Sequence, residues 1–127
     1  MTTPAAVPIL IVEDDRFLRK ACQASLTQRG FTVVTAVDGE EGLAMARSHR
    51  PAVILLDLLM PKLPGIEVLR ALRASAATAA IPVVILSNSS REQDKAECLA
   101  LGAAGYYVKA NLSLRDLAQA VEKLVAK

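Results

Sequence analysis

The stretch Ala52-Val53-Ile54-Leu55-Leu56-Asp57-Leu58-Leu59-Met60-Pro61-Lys62-Leu63-Pro64-Gly65 decides the fold, because an unbroken apolar run ends on one carboxylate and then on turn-forming residues. The run is too short to cross a bilayer and lacks polar gaps at helical spacing. It therefore reads as a strand covered on both faces, as in parallel sheets. Asp57 stands at that strand's carboxyl end. Pro61 and Pro64 bar the ladder from continuing, and Gly65 allows a close approach into the next element.

Upstream, Pro8-Ile-Leu-Ile-Val12 is a second apolar run, closing on Glu13-Asp14-Asp15 after a Thr/Pro/Ala leader, residues 1–7, expected to be loose. From about Asp15 to Gln28 the residues Phe17, Leu18, Ala21, Cys22, Ser25 and Leu26 follow helical spacing against a core, and Gly30 ends that helix. Phe31 to Val37 is rich in β-branched residues and reads as a strand, and Asp38-Gly39 caps a helix through about Ser48. Downstream of Asp57 the pattern predicts a helix from Gly65 to about Ala76 and a strand from Ile81 to Leu86 ending at Ser87-Asn88-Ser89-Ser90. A helix from about Arg91 to Leu101, a short strand Gly105-Tyr-Tyr-Val108 ending on Lys109, and a last helix from Ser113 to about Val125 follow.

Five strands alternating with five helices imply one α/β domain, a doubly wound parallel sheet with helices on both faces. The order 2-1-3-4-5 is the common choice at this length. With 127 residues the chain can bury a core without staples. The hydrophobic fraction is 53% with 3% aromatic residues, so that core is aliphatic. Cys22 and Cys98 are too few and too far apart for a disulfide framework or a zinc site and read as small core residues. No apolar run has membrane-spanning length and no signal-peptide pattern opens the chain, so a cytoplasmic location is expected. The net charge of +2 is spread out, with no basic run longer than Arg19-Lys20, which excludes nucleic acid as a direct partner.

In a parallel sheet all strands point one way, so the polar residues that close them share an edge: Glu13 and Asp14, then Asp57, Ser87 and Lys109. Three carboxylates gathered there repel one another unless a cation intervenes, and an all-oxygen set calls for a hard ion, Mg²⁺ first. A hard ion beside a carboxylate, a hydroxyl and an ammonium suits phosphoryl transfer, with Asp57 as nucleophile and Lys109 and Ser87 stabilising the phosphoryl oxygens.

These residues, with Met60-Pro61, Gly65 and Gly102-Ala-Ala-Gly105-Tyr106-Tyr-Val-Lys109, make the chain resemble a receiver domain of the response-regulator family from about Pro8 to Val125. The resemblance implies that Asp57 accepts a phosphoryl group from a phosphohistidine on a sensor histidine kinase or a histidine phosphotransfer protein. It implies that Asp14 and Asp57 ligate Mg²⁺ directly, that Glu13 acts through a water and that the Leu59 carbonyl completes the protein ligands. It further implies that Ser87 and Tyr106 switch the surface of the fourth helix, fifth strand and fifth helix, where a downstream partner docks, in a monomer or weak homodimer.

Relatives in this family usually follow the lysine with a cis proline; here Ala110 stands there, so a trans Lys109-Ala110 bond is expected. Pro64 stands where an acidic or amide residue is common, which touches only the turn. Bulky Leu59 beside the acceptor predicts slow hydrolysis of the phosphoryl group. The bland readings make Glu13, Asp14 and Asp15 helix caps, Ser87 a cap, Lys109 surface, and the lone His49 a charge at a helix end. A phosphohydrolase would want a second acid where Leu59 stands. A nucleotide binder would want glycines where Glu13-Asp14-Asp15-Arg16 stands. A receiver-like adaptor that works without phosphorylation is the remaining rival.

Overall fold

The computed structural model describes residues 7–60 and 62–126, and within them strands and helices alternate strictly. In chain order they are β1 (Ile9–Val12), α1 (Arg16–Gln28), β2 (Val33–Ala36), α2 (Gly39–His49), β3 (Val53–Asp57), α3 (Gly65–Ala74), β4 (Val83–Ser87), α4 (Glu92–Ala100), β5 (Gly105–Val108) and α5 (Leu114–Val125). A single 3-10 turn, Lys109–Asn111, separates β5 from α5. The strands form one parallel sheet in the order β2-β1-β3-β4-β5, as the alternation predicts.

The apolar strands explain themselves through the two faces they feed. On one face Leu10, Val12, Ile54, Leu56 and Ile85 pack with Ala46 of α2, Leu69 and Leu72 of α3 and Cys98 of α4. On the other, Ile9, Ile11, Leu55 and Leu86 pack with Cys22 and Leu26 of α1 and Leu117 and Val121 of α5. Successive residues of β1 and β3 thus serve opposite cores, which is why neither strand alternates polar with apolar. Each fully buried Leu or Ile here contributes roughly 1.5–3 kcal/mol relative to exposure. Both cysteines are free and buried, in keeping with their reading as core residues.

The helix boundaries follow local chemistry. Asp38 caps α2 by accepting the Glu41 N–H at 2.8 Å, and Glu41 reaches back to accept the Val37 N–H at 2.8 Å, a reciprocal cap. Gly30 ends α1 in the left-handed region at φ 92°. Gly65 opens α3 where a Cβ would collide with the Asp57 carbonyl oxygen, so the close approach read from sequence is real. Pro61 lies outside the described residues, as do residues 1–6 of the leader, while Val7 is exposed.

Two expectations are corrected. Phe17, counted among the core positions of α1, is 86% exposed. The buried stripe of α1 runs through Leu18, Cys22 and Leu26, and Phe17 lies about 100° round the helix from Leu18. β2 is shorter than its β-branched run, since Phe31, Thr32 and Val37 lie outside the strand, though the Thr32 carbonyl still accepts the Ile9 N–H at 2.8 Å. Among the described residues no helix is long and apolar enough to cross a membrane.

Candidate functional site

Strand ends build the site. Glu13 extends β1 by one position, its N–H donating to the Ala36 carbonyl at 3.0 Å, and its side chain is fully buried. Asp14, next along, is exposed. Asp15 faces away and caps α1, its Oδ1 accepting the N–H groups of Phe17 at 2.9 Å and Leu18 at 3.2 Å. The bland capping role thus belongs to Asp15, and the other two acids are left for the basin.

Asp57 closes β3 opposite Leu86 and is 2% exposed. Its Oδ1 accepts the Leu59 N–H at 3.2 Å, and its Oδ2 lies 3.2 Å from Lys109 Nζ. The same ammonium stands 2.8 Å from Glu13 Oε1. Carboxylate oxygens of Glu13, Asp14 and Asp57 fall within 4.8 Å of one another. Residues from the ends of β1, β3 and β5, up to 96 positions apart in sequence, thereby meet at one point.

Charge in this basin is not balanced. Burial, and then the neighbouring Glu13 carboxylate, push the Asp57 carboxyl up to about 7 despite the opposing pull of Lys109. Lys109 itself is held above its usual range, because Glu13 and Asp57 together outweigh the burial that would lower it. Glu13 Oε1 is buried and accepts no hydrogen bond of good geometry, so the ammonium meets it by charge and distance alone. An orphaned oxygen beside two more carboxylates fits a hard divalent cation, and the donor set contains neither nitrogen nor sulfur. Glu13, Asp14 and Asp57 are the residues that could hold one.

Ser87 closes β4 opposite Val108 and is fully buried, its Oγ accepting the Ser89 N–H at 3.0 Å. Tyr106 in β5 is half-buried and donates its hydroxyl to the Ser89 carbonyl at 2.9 Å. Ser89 Oγ in turn donates to Asp94 Oδ2 in the first turn of α4 at 2.5 Å. Sequence reading singled out Ser87 and Tyr106 but missed Ser89 and Asp94, which connect them; the only hint was the density of cap-forming side chains after β4. A cleft of about 390 Å³, lined by Leu58, Leu59, Pro64, Ser87 and Asp94 among others, opens beside this network. Leu59 is 66% exposed at its rim.

Around Lys109 the expectation of a trans link to Ala110 is met, since no cis peptide occurs among the described residues. The 3-10 turn takes the chain on into α5 while leaving the Lys109 side chain in the basin. His49 sits in the last turn of α2, its Nδ1 2.9 Å from Ser48 Oγ, a place compatible with the charge at a helix end anticipated for it.

A doubly wound parallel sheet with a trio of acids and a lysine at its carboxyl edge is the arrangement of a receiver-like signalling domain. Comparison makes the class specific: the profile of the response regulator receiver domain matches residues 9–122, and the chain belongs to that family. It is 38% identical over 123 residues to the gliding motility regulatory protein of Myxococcus xanthus, covering 95% of this chain and 16% of that protein. It is 40% identical over 101 residues to the alkaline phosphatase synthesis transcriptional regulatory protein PhoP of Bacillus subtilis, covering 80% of this chain and 41% of that one. The chain thus spans less than half the length of these relatives. Among solved structures it superposes on the receiver domain of the Francisella response regulator 1452 with a TM-score of 0.87 at 29% identity, covering 94% and 97% of the two chains.

Proposed function

We propose that residues 1–127 act as one receiver unit in which Asp57 accepts a phosphoryl group from a phosphohistidine on a histidine kinase or histidine phosphotransfer protein. The observation that carries this reading is the meeting of Glu13, Asp14, Asp57 and Lys109 at the carboxyl edge of the sheet. An Asp57 carboxylate oxygen attacks phosphorus, the phosphorus–nitrogen bond breaks, and the imidazole leaves with its electron pair. The Leu59 N–H and the Lys109 ammonium each hold one Asp57 oxygen, which fixes the plane of the attacking carboxylate. Lys109 and the Ser87 hydroxyl then serve the phosphoryl oxygens as donors.

Glu13, Asp14, Asp57 and the Leu59 carbonyl would hold Mg²⁺, which supplies charge neutralisation for the transferring group. The added charge on Asp57 draws Ser87 away from the Ser89 N–H, and Tyr106 follows because it is tied to the same residue. The face formed by α4, β5 and α5 then changes for a downstream partner. The chain is in this reading a signalling phosphoacceptor that assists its own phosphorylation rather than an enzyme with a separate substrate.

Intact mass spectrometry after incubation with acetyl phosphate and Mg²⁺ tests this. One phosphoryl adduct is expected on the parent chain and none on Asp57→Ala. An adduct retained by the variant moves the acceptor elsewhere, and no adduct on the parent chain favours an adaptor that works without phosphorylation.

A further inference from the structure

Arg19 has no carboxylate partner among the described residues. From the end of the first turn of α1 it folds back under the β1–α1 loop, where its Nη1 donates to the main-chain carbonyls of Glu13 at 2.9 Å and Asp14 at 3.3 Å. These are the two residues of that loop whose side chains enter the acidic basin, and Arg19 is only half-buried. Beyond the Glu13 N–H bond to the Ala36 carbonyl, the loop is held by the Asp15 N–H donating to Glu13 Oε2 at 3.0 Å and by the Asp15 cap. The Asp15 N–H bond holds the Asp14–Asp15 peptide, but neither it nor the cap reaches the Glu13–Asp14 peptide that precedes the Asp14 side chain. A guanidinium pinned on both carbonyls does, and it sets the direction in which the exposed Asp14 carboxylate leaves the chain.

We infer that Arg19 is a positioning residue for divalent-cation binding, acting on the Glu13–Asp14 backbone and not on the ion. The inference rests on the metal role proposed for Glu13, Asp14 and Asp57. It makes a prediction of opposite sign to simple electrostatics. A positive charge near a cation site weakens the ion's binding, so deleting it as a mere charge tightens affinity. Deleting it as a pin lets the carbonyls turn to water and the Asp14 carboxylate wander, which weakens affinity by about tenfold, the lower end for losing a group that orients a ligand.

The test is titration calorimetry of the metal-free chain with MgCl₂ at one pH, for the parent, Arg19→Met, Arg19→Lys and Lys20→Met, with thermal unfolding in the absence of Mg²⁺ alongside. Lys20, exposed on the same helix, reports the loss of a nearby charge alone. Expected are weaker binding in Arg19→Met, recovery to within a few-fold in Arg19→Lys, which keeps a donor of similar reach, and unchanged or slightly tighter binding in Lys20→Met. Unchanged or tighter binding in Arg19→Met overturns the positioning role. Absence of Mg²⁺ binding in the parent chain overturns the metal site itself, a separate failure. If Arg19→Met does not fold, Arg19→Gln, too short to reach both carbonyls, carries the same comparison.

Discussion

At the edge of the sheet where β4 and β5 begin, Arg73 in the last turn of α3 donates to four main-chain carbonyls: Leu101 at 3.1 Å, Gly102 at 3.1 Å, Ala79 at 3.1 Å and Ile81 at 2.9 Å. At the edge where the strands end, Lys109 faces two of three crowded carboxylates and leaves one of their oxygens without a hydrogen bond. Both are partly buried cations drawn from loops or helix ends far apart in sequence. Arg73 spreads its charge over satisfied dipoles and ties α3 to the turns that enter β4 and β5. Lys109 sits in a basin that stays electrostatically unfinished. A partly buried charge with four of its five N–H groups matched marks architecture, and a carboxylate oxygen left over marks a place for something to arrive.

The comparison breaks first at Arg73. Arg73→Met is expected to lower stability by about 3 kcal/mol, since four carbonyls lose a charged donor, measured by urea unfolding, while Mg²⁺ affinity is unchanged. A loss of metal binding with intact stability would reverse the roles assigned to the two edges. Next, Lys109→Met should cost about 2 kcal/mol at pH 8, because Glu13 and Asp57 are left without their counter-charge. The cost should shrink toward pH 5 as Asp57 takes up its proton. An equal cost at both pH values would show that Lys109 acts by packing.

Smaller still is the effect of filling the basin. The Asp57 carboxyl titrates near 7 in the folded chain against 3.8 as its ordinary value. The folded chain therefore binds the proton more tightly across that window, and metal-free stability falls as pH rises from 3.8 to about 7. Mg²⁺ at ten times its dissociation constant should restore about 1.4 kcal/mol at pH 8, read as a shift in thermal midpoint, and Asp57→Asn should abolish both the pH slope and most of the metal response. The smallest expected effect is kinetic. Leu59→Asn should shorten the lifetime of the phosphoryl group on Asp57, followed by loss of the mass adduct, and an unchanged lifetime removes Leu59 from the control of hydrolysis.

Much of this was legible in the sequence because the signal was local. β1, β3 and β4 announce themselves as apolar runs, and each closes on a polar residue that the parallel sheet then brings to one edge. Glu13, Asp14, Asp57 and Lys109 could be collected on that ground alone. Phe17 could not be placed, since helical spacing admits it to the apolar stripe while the actual stripe through Leu18, Cys22 and Leu26 leaves it outside. Arg73 gave no signal because two of its acceptors lie 28 and 29 positions away and are main-chain atoms, which any residue carries. Arg19 was hidden for the same reason: its acceptors are carbonyls, and no side-chain pattern records them.

Ser89 joins three parts of the molecule by separate atoms: its N–H to Ser87, its carbonyl to Tyr106 and its hydroxyl to Asp94. A residue knotted in this way has no slack. If the Ser87 hydroxyl turns elsewhere, the peptide that carried its bond is freed at one end while still tethered to the fifth strand and to the fourth helix, so an event at a single oxygen is delivered as a tug on two elements at once.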